Sequence, residues 1–266
     1  MFDEIELLFR QGKSMIREQL IEKASSNNVS PTAFRWRGGD VSRLESFSDA
    51  VFGFALTLLV VSLEVPHTFD ALLIAMRGFV GFAVCFVLLS LVWYDHYVYF
   101  RQYGLRDSAT VVLNLCLLFV VMFYVFPLKF LFTLLASITT GMNSQSGGPV
   151  IQNSQVPTLM IIYGVGFMAI HIVFTLMYMN AWRQRDLLAL NRLERFDTRA
   201  SAGSHLMLSS IGLFSVSIAY FGGVRYSGVA GFSYFLIGLG MSVYWSICGG
   251  RRQRLEKAFT LGEDSL

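Results

Sequence analysis

The sequence predicts an all-α integral membrane protein with six transmembrane helices. Of its 266 residues, 54% are hydrophobic and only 15% are charged, whereas about a quarter of a soluble domain is charged. A hydrocarbon core about 30 Å thick requires about 20 apolar residues per helix. Six runs of about this length occur, at residues 47–66, 78–99, 109–132, 157–181, 204–223 and 229–249.

The basic residues predict the orientation of these six runs. Eighteen of the 21 Lys and Arg residues fall on one side, and only Arg77, Lys129 and Arg225 fall on the other. Because basic segments stay in the cytoplasm, we predict that both termini are cytoplasmic. The net charge of +3 then reflects membrane topology. Nucleic-acid binding is not expected, since no basic cluster is interleaved with aromatic residues.

Hydropathy divides the chain into three parts. Residues 1–40 are predicted to form a cytoplasmic amphipathic helix and a turn-rich linker, although an inert ordered tail is an alternative. Residues 41–250 hold the six-helix domain, and residues 251–266 form a cytoplasmic tail. The charged stretch 183–199 is predicted to extend the fourth helix. The last three runs do not duplicate the first three, so a subunit this small must assemble to enclose a pathway.

Residues for catalysis or metal binding are missing from the sequence. The three cysteines lie inside the predicted spans without metal-ligand spacing, and we expect them to be buried packing residues: Cys85, Cys116 and Cys248. The sequence has no Ser-His-Asp, paired-Glu or metal-spaced cluster. We therefore predict that the protein is not an enzyme and requires no cofactor or metal.

Several polar residues lie at one depth in the first three runs. Ser48 and Asp49 open the first run, Trp93 and His96 close the second, and Asn114 falls about one turn into the third. The alternating direction of the runs gathers all five in the cytoplasmic third of the membrane. A carboxylate, an imidazole, an indole N–H and an amide at one depth can satisfy one another, so we predict a hydrogen-bond network.

Each of these residues also has a simpler explanation. Asp49 could act only as a helix N-cap, with Phe47 as its hydrophobic staple. Trp93 could be an interfacial belt residue, and His96 could sit in headgroup water. His171, near the middle of the fourth run, could belong to a proton relay. A single satisfied interhelical histidine is the favoured interpretation, because no carboxylate lies at its depth.

The first run has a distinct apolar face. At 100° per residue, Phe54, Leu58, Val61 and Val65 lie within about 40° of one line, and Thr57 lies about 60° from it. Asp49 lies about 140° from Phe54, so it would point into the protein if this face lined a pathway. Alternatively, the stripe faces lipid or a neighbour, and the Thr57 hydroxyl only bonds back to the carbonyl of its own helix.

The start of the first run resembles the transmembrane protein 175 potassium-channel family. The motif R-x-x-x-F-S-D spans Arg43 to Asp49, and Thr57 follows eight residues after the Asp. The match extends over residues 43–130 with a W-x-x-H pair, an early Asn and a late Pro in the third run: Trp93, His96, Asn114 and Pro127. Bacterial members of that family have one six-helix repeat and form tetramers. The resemblance implies a homotetramer in a bacterial plasma membrane, with the first helix of each subunit lining a central pore.

The resemblance also assigns residues. The pore-facing apolar layer falls on Phe54, the threonine linked to potassium preference on Thr57, and the lower apolar layers near Leu58 and Val61. The family's interhelical hydrogen-bond network falls on Arg43, Ser48, Asp49, Trp93, His96 and Asn114. Two residues depart from the family pattern: Phe54 replaces a Leu or Ile, and Asp95 stands where an Asn is frequent.

Three functions compete at this point. The leading prediction is a potassium-favouring cation channel whose partners are potassium ions, other copies of the chain and the lipid bilayer. The second is a proton-coupled or small-solute transporter that uses the Asp49/His96 cluster. The third is a membrane scaffold. A transporter of this kind typically shows inverted repeats and broken helices near the midplane, which the sequence does not show.

Overall fold

A computed structural model of the chain describes residues 32–61, 67–140 and 151–261. Six α-helices occur in these residues: α1 Arg43–Val61, α2 Phe69–Tyr103, α3 Ser108–Thr140, α4 Val156–Arg183, α5 Arg192–Phe232 and α6 Leu236–Thr260. Short 3-10 turns precede α4 and α6. No strand occurs in these three ranges, and the all-helical class is confirmed. The amphipathic helix expected in the first 24 residues lies outside them.

Four stretches of the described residues are long and apolar enough to cross a membrane: Gly81–Tyr103, Ser108–Leu134, Asn153–Arg183 and Arg192–Thr260. The fourth contains the fifth and sixth predicted runs. Its backbone breaks at Gly223, where φ is +53° and ψ is −148°, a conformation that glycine adopts at little steric cost. The first predicted run, in α1, is not among the four stretches.

The prediction that residues 183–199 extend the fourth helix is wrong. α4 ends at Arg183, and α5 begins at Arg192 after a turn. Asn191 caps α5, because its side chain accepts a hydrogen bond from the Glu194 backbone N–H over 2.8 Å. The Glu194 carboxylate accepts one from the Asn191 backbone N–H over 2.9 Å. This reciprocal capping box fixes the helix start well before the apolar run begins.

The helices pack as neighbours in a bundle. α4 and α5 pack along each other, α3 contacts α1, α2 and α4, and α6 contacts α5. Gly164 and Gly212 allow the close approach of α4 to α5, since a Cβ atom on Gly164 would lie 3.3 Å from the Gly212 carbonyl oxygen. The buried core includes Phe52, Tyr99 and Phe174.

One end of the bundle holds the start of α1, α3 and α5 and the end of α2, α4 and α6. We call it the basic end, because Arg101, Arg183 and Arg252 lie there. Residues 32–42, most of them predicted as part of a linker, instead pack against this end. We call residues 32–42 the strap.

The prediction of three buried cysteines holds only in part. Cys85 is buried and Cys248 is partly buried, but Cys116 is exposed in the isolated chain. It lies on the same outward face of α3 as Phe119 and Phe123, which are 74% and 69% exposed. Hydropathy cannot distinguish these positions, because a surface that faces lipid or another subunit is as apolar as a core.

Candidate functional site

Helix α1 has one buried face and one open face. Ser48, Phe52, Ala55 and Leu59 recur every three or four residues, and each is at most 2% exposed. The opposite side carries Phe54, which is 56% exposed in the isolated chain. The buried face therefore anchors α1 to its own bundle, and the described residues leave more than half of the Phe54 side chain exposed.

Two further residues assigned to the pore, Thr57 and Leu58, lie within about 60° of Phe54 around the axis of α1. Thr57 is exposed and Leu58 is half-buried. The Thr57 hydroxyl donates to the Gly53 carbonyl oxygen over 2.8 Å. Because its proton is used within the helix, its oxygen lone pairs can face outward, the arrangement that a cation requires of a hydroxyl. Val61 ends α1, and its side chain lies outside the described side chains.

A buried chain of hydrogen bonds joins the first three helices. The Ser48 hydroxyl donates to the Leu44 carbonyl over 2.8 Å and accepts from the Asn114 amide nitrogen over 2.8 Å. The Asn114 amide oxygen lies 2.8 Å from His96 Nε2. Since an amide oxygen can only accept, His96 carries a proton on Nε2. We call Ser48, Asn114 and His96 the triad; each is at most 1% exposed.

Asp49 and Trp93 form a separate pair. The indole Nε1 of Trp93 donates to Asp49 Oδ1 over 2.8 Å at an exposed position, so this contact joins α2 to the side of α1. Asp49 is in the second turn of α1 and is not its N-cap. That role belongs to Ser42, whose hydroxyl accepts from the Glu45 backbone N–H over 3.2 Å. The single network expected from the sequence is therefore divided into the triad and the Asp49–Trp93 pair.

Arg43 is the one network residue that the structure leaves apart. It is the first residue of α1 and is exposed. In the described ranges, no hydrogen bond or ion pair joins it to the triad or to Asp49 and Trp93. At 100° per residue it lies about 140° around the helix from Ser48, so it points away from the buried face.

Lys129 provides a contact that the sequence did not predict. Long basic side chains such as that of Lys129 often reach the membrane interface. Instead its ammonium group donates to the Leu59 carbonyl oxygen over 3.0 Å. Leu59 is in the last turn of α1, where backbone carbonyls lack partners within the helix and a cation is favourable. Lys129 thus anchors the C-terminal end of α1, which is the end opposite the triad.

His171 has the interhelical partner that the favoured interpretation required, and that partner is a second histidine. Its Nδ1 lies 3.1 Å from Nδ1 of His205 on α5. Both rings are buried, and the His205 ring stacks on Phe174 with centroids 4.8 Å apart. One imidazole must donate its Nδ1 proton to the other. The pair joins α4 to α5 away from α1.

Asp107, in the connection between α2 and α3, organises a second polar contact at the basic end. Its carboxylate accepts from the Thr110 hydroxyl over 2.6 Å and from the Asn180 amide over 3.2 Å. Burial alone would raise the pKa of Asp107, but hydrogen bonds from Thr110, Gln184 and Asn180 outweigh burial and lower it. The ionised carboxylate therefore ties the start of α3 to the end of α4.

Sequence reasoning missed Glu194 altogether. It is fully buried at the start of α5 and forms ion pairs with Arg35 and Arg37 of the strap over 2.8 and 2.7 Å. The reciprocal motif of Asn191 and Glu194 was a local signal of a helix start. The arginine partners gave no such signal, since they lie more than 150 residues away in sequence.

The part of the chain that carries this site matches a known protein family. The family model "Endosomal/lysosomal potassium channel TMEM175" matches residues 43–124, which include α1, the triad and the Asp49–Trp93 pair. A potassium channel of Marivirga tractuosa is 41% identical over 232 residues, or 84% of this chain and 93% of that protein. A potassium channel of Streptomyces collinus is 33% identical over 85 residues, or 30% of this chain and 41% of that protein.

Solved structures show the same architecture. A variant of the potassium channel MtTMEM175, crystallised with a Nanobody-MBP fusion protein, matches with a TM-score of 0.75 at 39% identity and covers 84% of this chain and 100% of that chain. A TMEM175 homolog from Chamaesiphon minutus matches with a TM-score of 0.50 at 22% identity, over 76% and 96% of the two chains, a likeness of fold alone. Because the Marivirga relative is similar over nearly its whole length, the resemblance predicted from the sequence is confirmed, and this chain belongs to the TMEM175 family.

Proposed function

We propose that this protein is a potassium-favouring cation channel in which α1 of four identical subunits lines a central pore. Two relatives with 41% and 33% identity are potassium channels, which supports passive potassium conduction. Conduction of this kind needs no catalytic residue and no cofactor. Each subunit crosses the membrane six times in this proposal, once for each described helix.

The observation that carries the proposal is the division of α1 into two faces. Its back face is held by the triad and by Phe52, Ala55 and Leu59, while Phe54 and Thr57 are exposed among the residues that the structure describes. In a four-fold arrangement, the same open face of every α1 can meet at the axis.

The chemistry of this face suits a cation pathway without a backbone-carbonyl filter. Four Phe54 rings around an axis form a narrow apolar constriction, and such constrictions gate by dewetting. Four Thr57 hydroxyl oxygens one turn away can replace part of the water around an ion. Leu58 and Val61 complete the apolar lining in this proposal.

The proposal places the basic end in the cytoplasm of a bacterial cell, with both termini on that side of the plasma membrane. The excess of Lys and Arg on that side supports this orientation. A cysteine introduced at Ser146 in a cysteine-free background should react with an impermeant reagent from outside intact cells. Labelling only after permeabilisation would show that the orientation is the opposite of the proposed one.

The transporter alternative depends on Asp49 and His96 acting together. In the structure the two residues have different hydrogen-bond partners: Asp49 accepts from Trp93, and His96 is bonded to Asn114. Each of these contacts joins two helices of the subunit. The geometry therefore favours a structural role for both residues.

Recording from purified protein in planar bilayers tests the proposed function. Under asymmetric potassium and sodium, the reversal potential should lie towards the potassium equilibrium potential, and the current should need no proton gradient. Absence of current from folded, tetrameric protein would contradict the proposal. So would a flux that depends on a proton gradient.

A further inference from the structure

The strap enters α1 directly, because residue 42 precedes the first residue of that helix. Ser42 and Glu45 form a capping box in which the Ser42 backbone N–H donates to the Glu45 carboxylate over 3.1 Å. The first turn of α1 is therefore built partly from the strap. Any displacement of the strap must displace this end of α1.

Glu194 binds the strap to the start of α5. Arg35 donates its backbone N–H, its Nε and its Nη2 to the Glu194 carboxylate over 2.8–3.0 Å. Arg37 donates Nη2 to the same carboxylate over 2.7 Å and Nε to the Leu188 carbonyl over 2.8 Å. One buried carboxylate thus receives four hydrogen bonds from two strap arginines and is the centre of this contact.

The other side of the strap follows the end of α2. The Gly38 backbone N–H donates to the Arg101 carbonyl over 3.0 Å. A Cβ atom on Gly38 would lie only 2.6 Å from the Phe100 carbonyl oxygen, so this approach requires glycine. Arg252 of α6 adds a contact by donating Nη2 to the Thr32 carbonyl over 2.8 Å. The strap is therefore clamped between α2, α5 and α6.

We propose that the strap couples α5 and α6 to the pore-lining helix, and that Glu194 is the positioning residue that closes this coupling. α1 packs against α2 and α3, whereas α5 packs against α4 and α6. The strap contacts elements of both groups and is continuous with α1. Movement at the start of α5 is thereby transmitted to the basic-end mouth of the pathway, about 17 Å from the Phe54 level at 1.5 Å per residue. This inference rests on the proposed function, in which α1 lines the pore.

Removing the Glu194 charge provides the test. Glu194→Gln keeps the size of the side chain but leaves Arg35 and Arg37 without a counter-charge. Arg35→Met is the milder variant, because that side chain is 31% exposed. Asp186→Asn is the matched control: it removes a carboxylate from the neighbouring connection between α4 and α5, where Asp186 pairs with Arg195 over 2.8 Å and is 72% exposed.

Two measurements on the full-length tetramer separate the outcomes. Hydrogen–deuterium exchange at residues 42–50 reports the mobility of the start of α1 whether or not the protein conducts. Single-channel recording separates open probability from unit conductance and from the reversal potential between potassium and sodium. A residue that acts only on pore position should alter open probability and leave the other two quantities unchanged.

We expect Glu194→Gln to speed exchange and change open probability by at least about fivefold, the lower range of coupling between two sites. Arg35→Met should act in the same direction, and Asp186→Asn should match the parent. If Glu194→Gln fails to assemble, Arg35→Met decides the question. Parent-like exchange and open probability in the folded strap variants would overturn the coupling. If the parent protein carries no current, the proposed function is overturned. The rate of hydrogen–deuterium exchange at residues 42–50, compared between variant and parent, would still test the role of the strap.

Discussion

His96 on α2 and Asn114 on α3 are joined by a hydrogen bond of 2.8 Å between Nε2 and the amide oxygen. Ser48 on α1 determines which partner donates in this bond. Its hydroxyl donates to the Leu44 carbonyl and therefore accepts from the Asn114 amide nitrogen. The Asn114 amide oxygen is then left to accept from His96. Three helices therefore share one buried chain of donors. The face of α1 that carries Ser48 is fixed towards the bundle, and the Phe54 side is fixed away from it.

Replacing Asn114 by Ala tests this chain of donors. The change strands the His96 N–H and the Ser48 oxygen in a buried site, which should cost about 1–3 kcal/mol of stability. Asp49→Asn is the control, since an amide oxygen can still accept from Trp93 at that exposed position. The thermal midpoint of the solubilised protein should fall for Asn114→Ala and change little for Asp49→Asn. Equal midpoints for both variants and the parent would show that the triad is not structural.

Replacing Lys129 by Met tests the contact at the other end of α1. Methionine keeps the length of the chain but cannot donate to the Leu59 carbonyl, and a hydrogen bond to a charged group contributes about 1.5–3 kcal/mol. Lys129→Arg retains charge and donors and should recover most of the lost stability. Thermal unfolding of the three proteins measures the difference. Loss of stability in both variants to the same extent would mean that side-chain size matters and the donated hydrogen bond does not.

Asp107 predicts a dependence of stability on pH. Its pKa is lower in the folded protein than in the unfolded chain, so its contribution is complete above the unfolded pKa and is lost as pH falls through the folded value. Asp107 also caps α3, because its carboxylate accepts from the Thr110 backbone N–H over 3.3 Å. Asp107→Ala should therefore be less stable than the parent at pH 7, by about 1 kcal/mol for a lost helix cap. This difference should narrow below about pH 4. A difference that is constant or grows on acidification contradicts the hydrogen-bonded carboxylate described above.

The sequence predicted the helix order well and the helix ends poorly. Each of the six apolar runs falls largely within one described helix, but α2 begins at Phe69 and α5 at Arg192, well before their runs. Hydropathy detects the part of a helix that suits lipid, and a helix continues beyond it wherever capping and packing allow. The late start assigned to α5 also concealed the histidine pair. From the true ends, His171 lies twelve residues before Arg183 and His205 lies thirteen after Arg192, which places them at one depth.

The candidate site was predictable in depth but only partly in direction. Alternating helix directions brought Ser48, His96 and Asn114 to one level, and the structure joins them. Whether a side chain joins the site also depends on its position around the helix axis. Arg43 and Cys116 point outward, and a hydropathy pattern does not show this. The Glu194 contact with the strap was beyond reach, because its partners are distant in sequence and lie in a segment whose composition resembles a linker.

The central claim is that α1 lines the potassium pathway, and two substitutions on its open face test it most directly. Phe54→Ala should widen and wet the constriction, which raises conductance and reduces the preference for potassium over sodium. Thr57→Ala removes hydroxyl oxygens that can replace part of the ion's water, so it should reduce that preference with a smaller change in conductance.

The decisive measurement is the reversal potential and unit conductance of both variants and the parent in reconstituted bilayers under asymmetric potassium and sodium. We predict a reversal potential closer to zero for each variant and a larger conductance for Phe54→Ala. An effect of Thr57→Ala alone would place the phenylalanine rings against lipid. Parent-like values for both variants would show that α1 does not line the pathway.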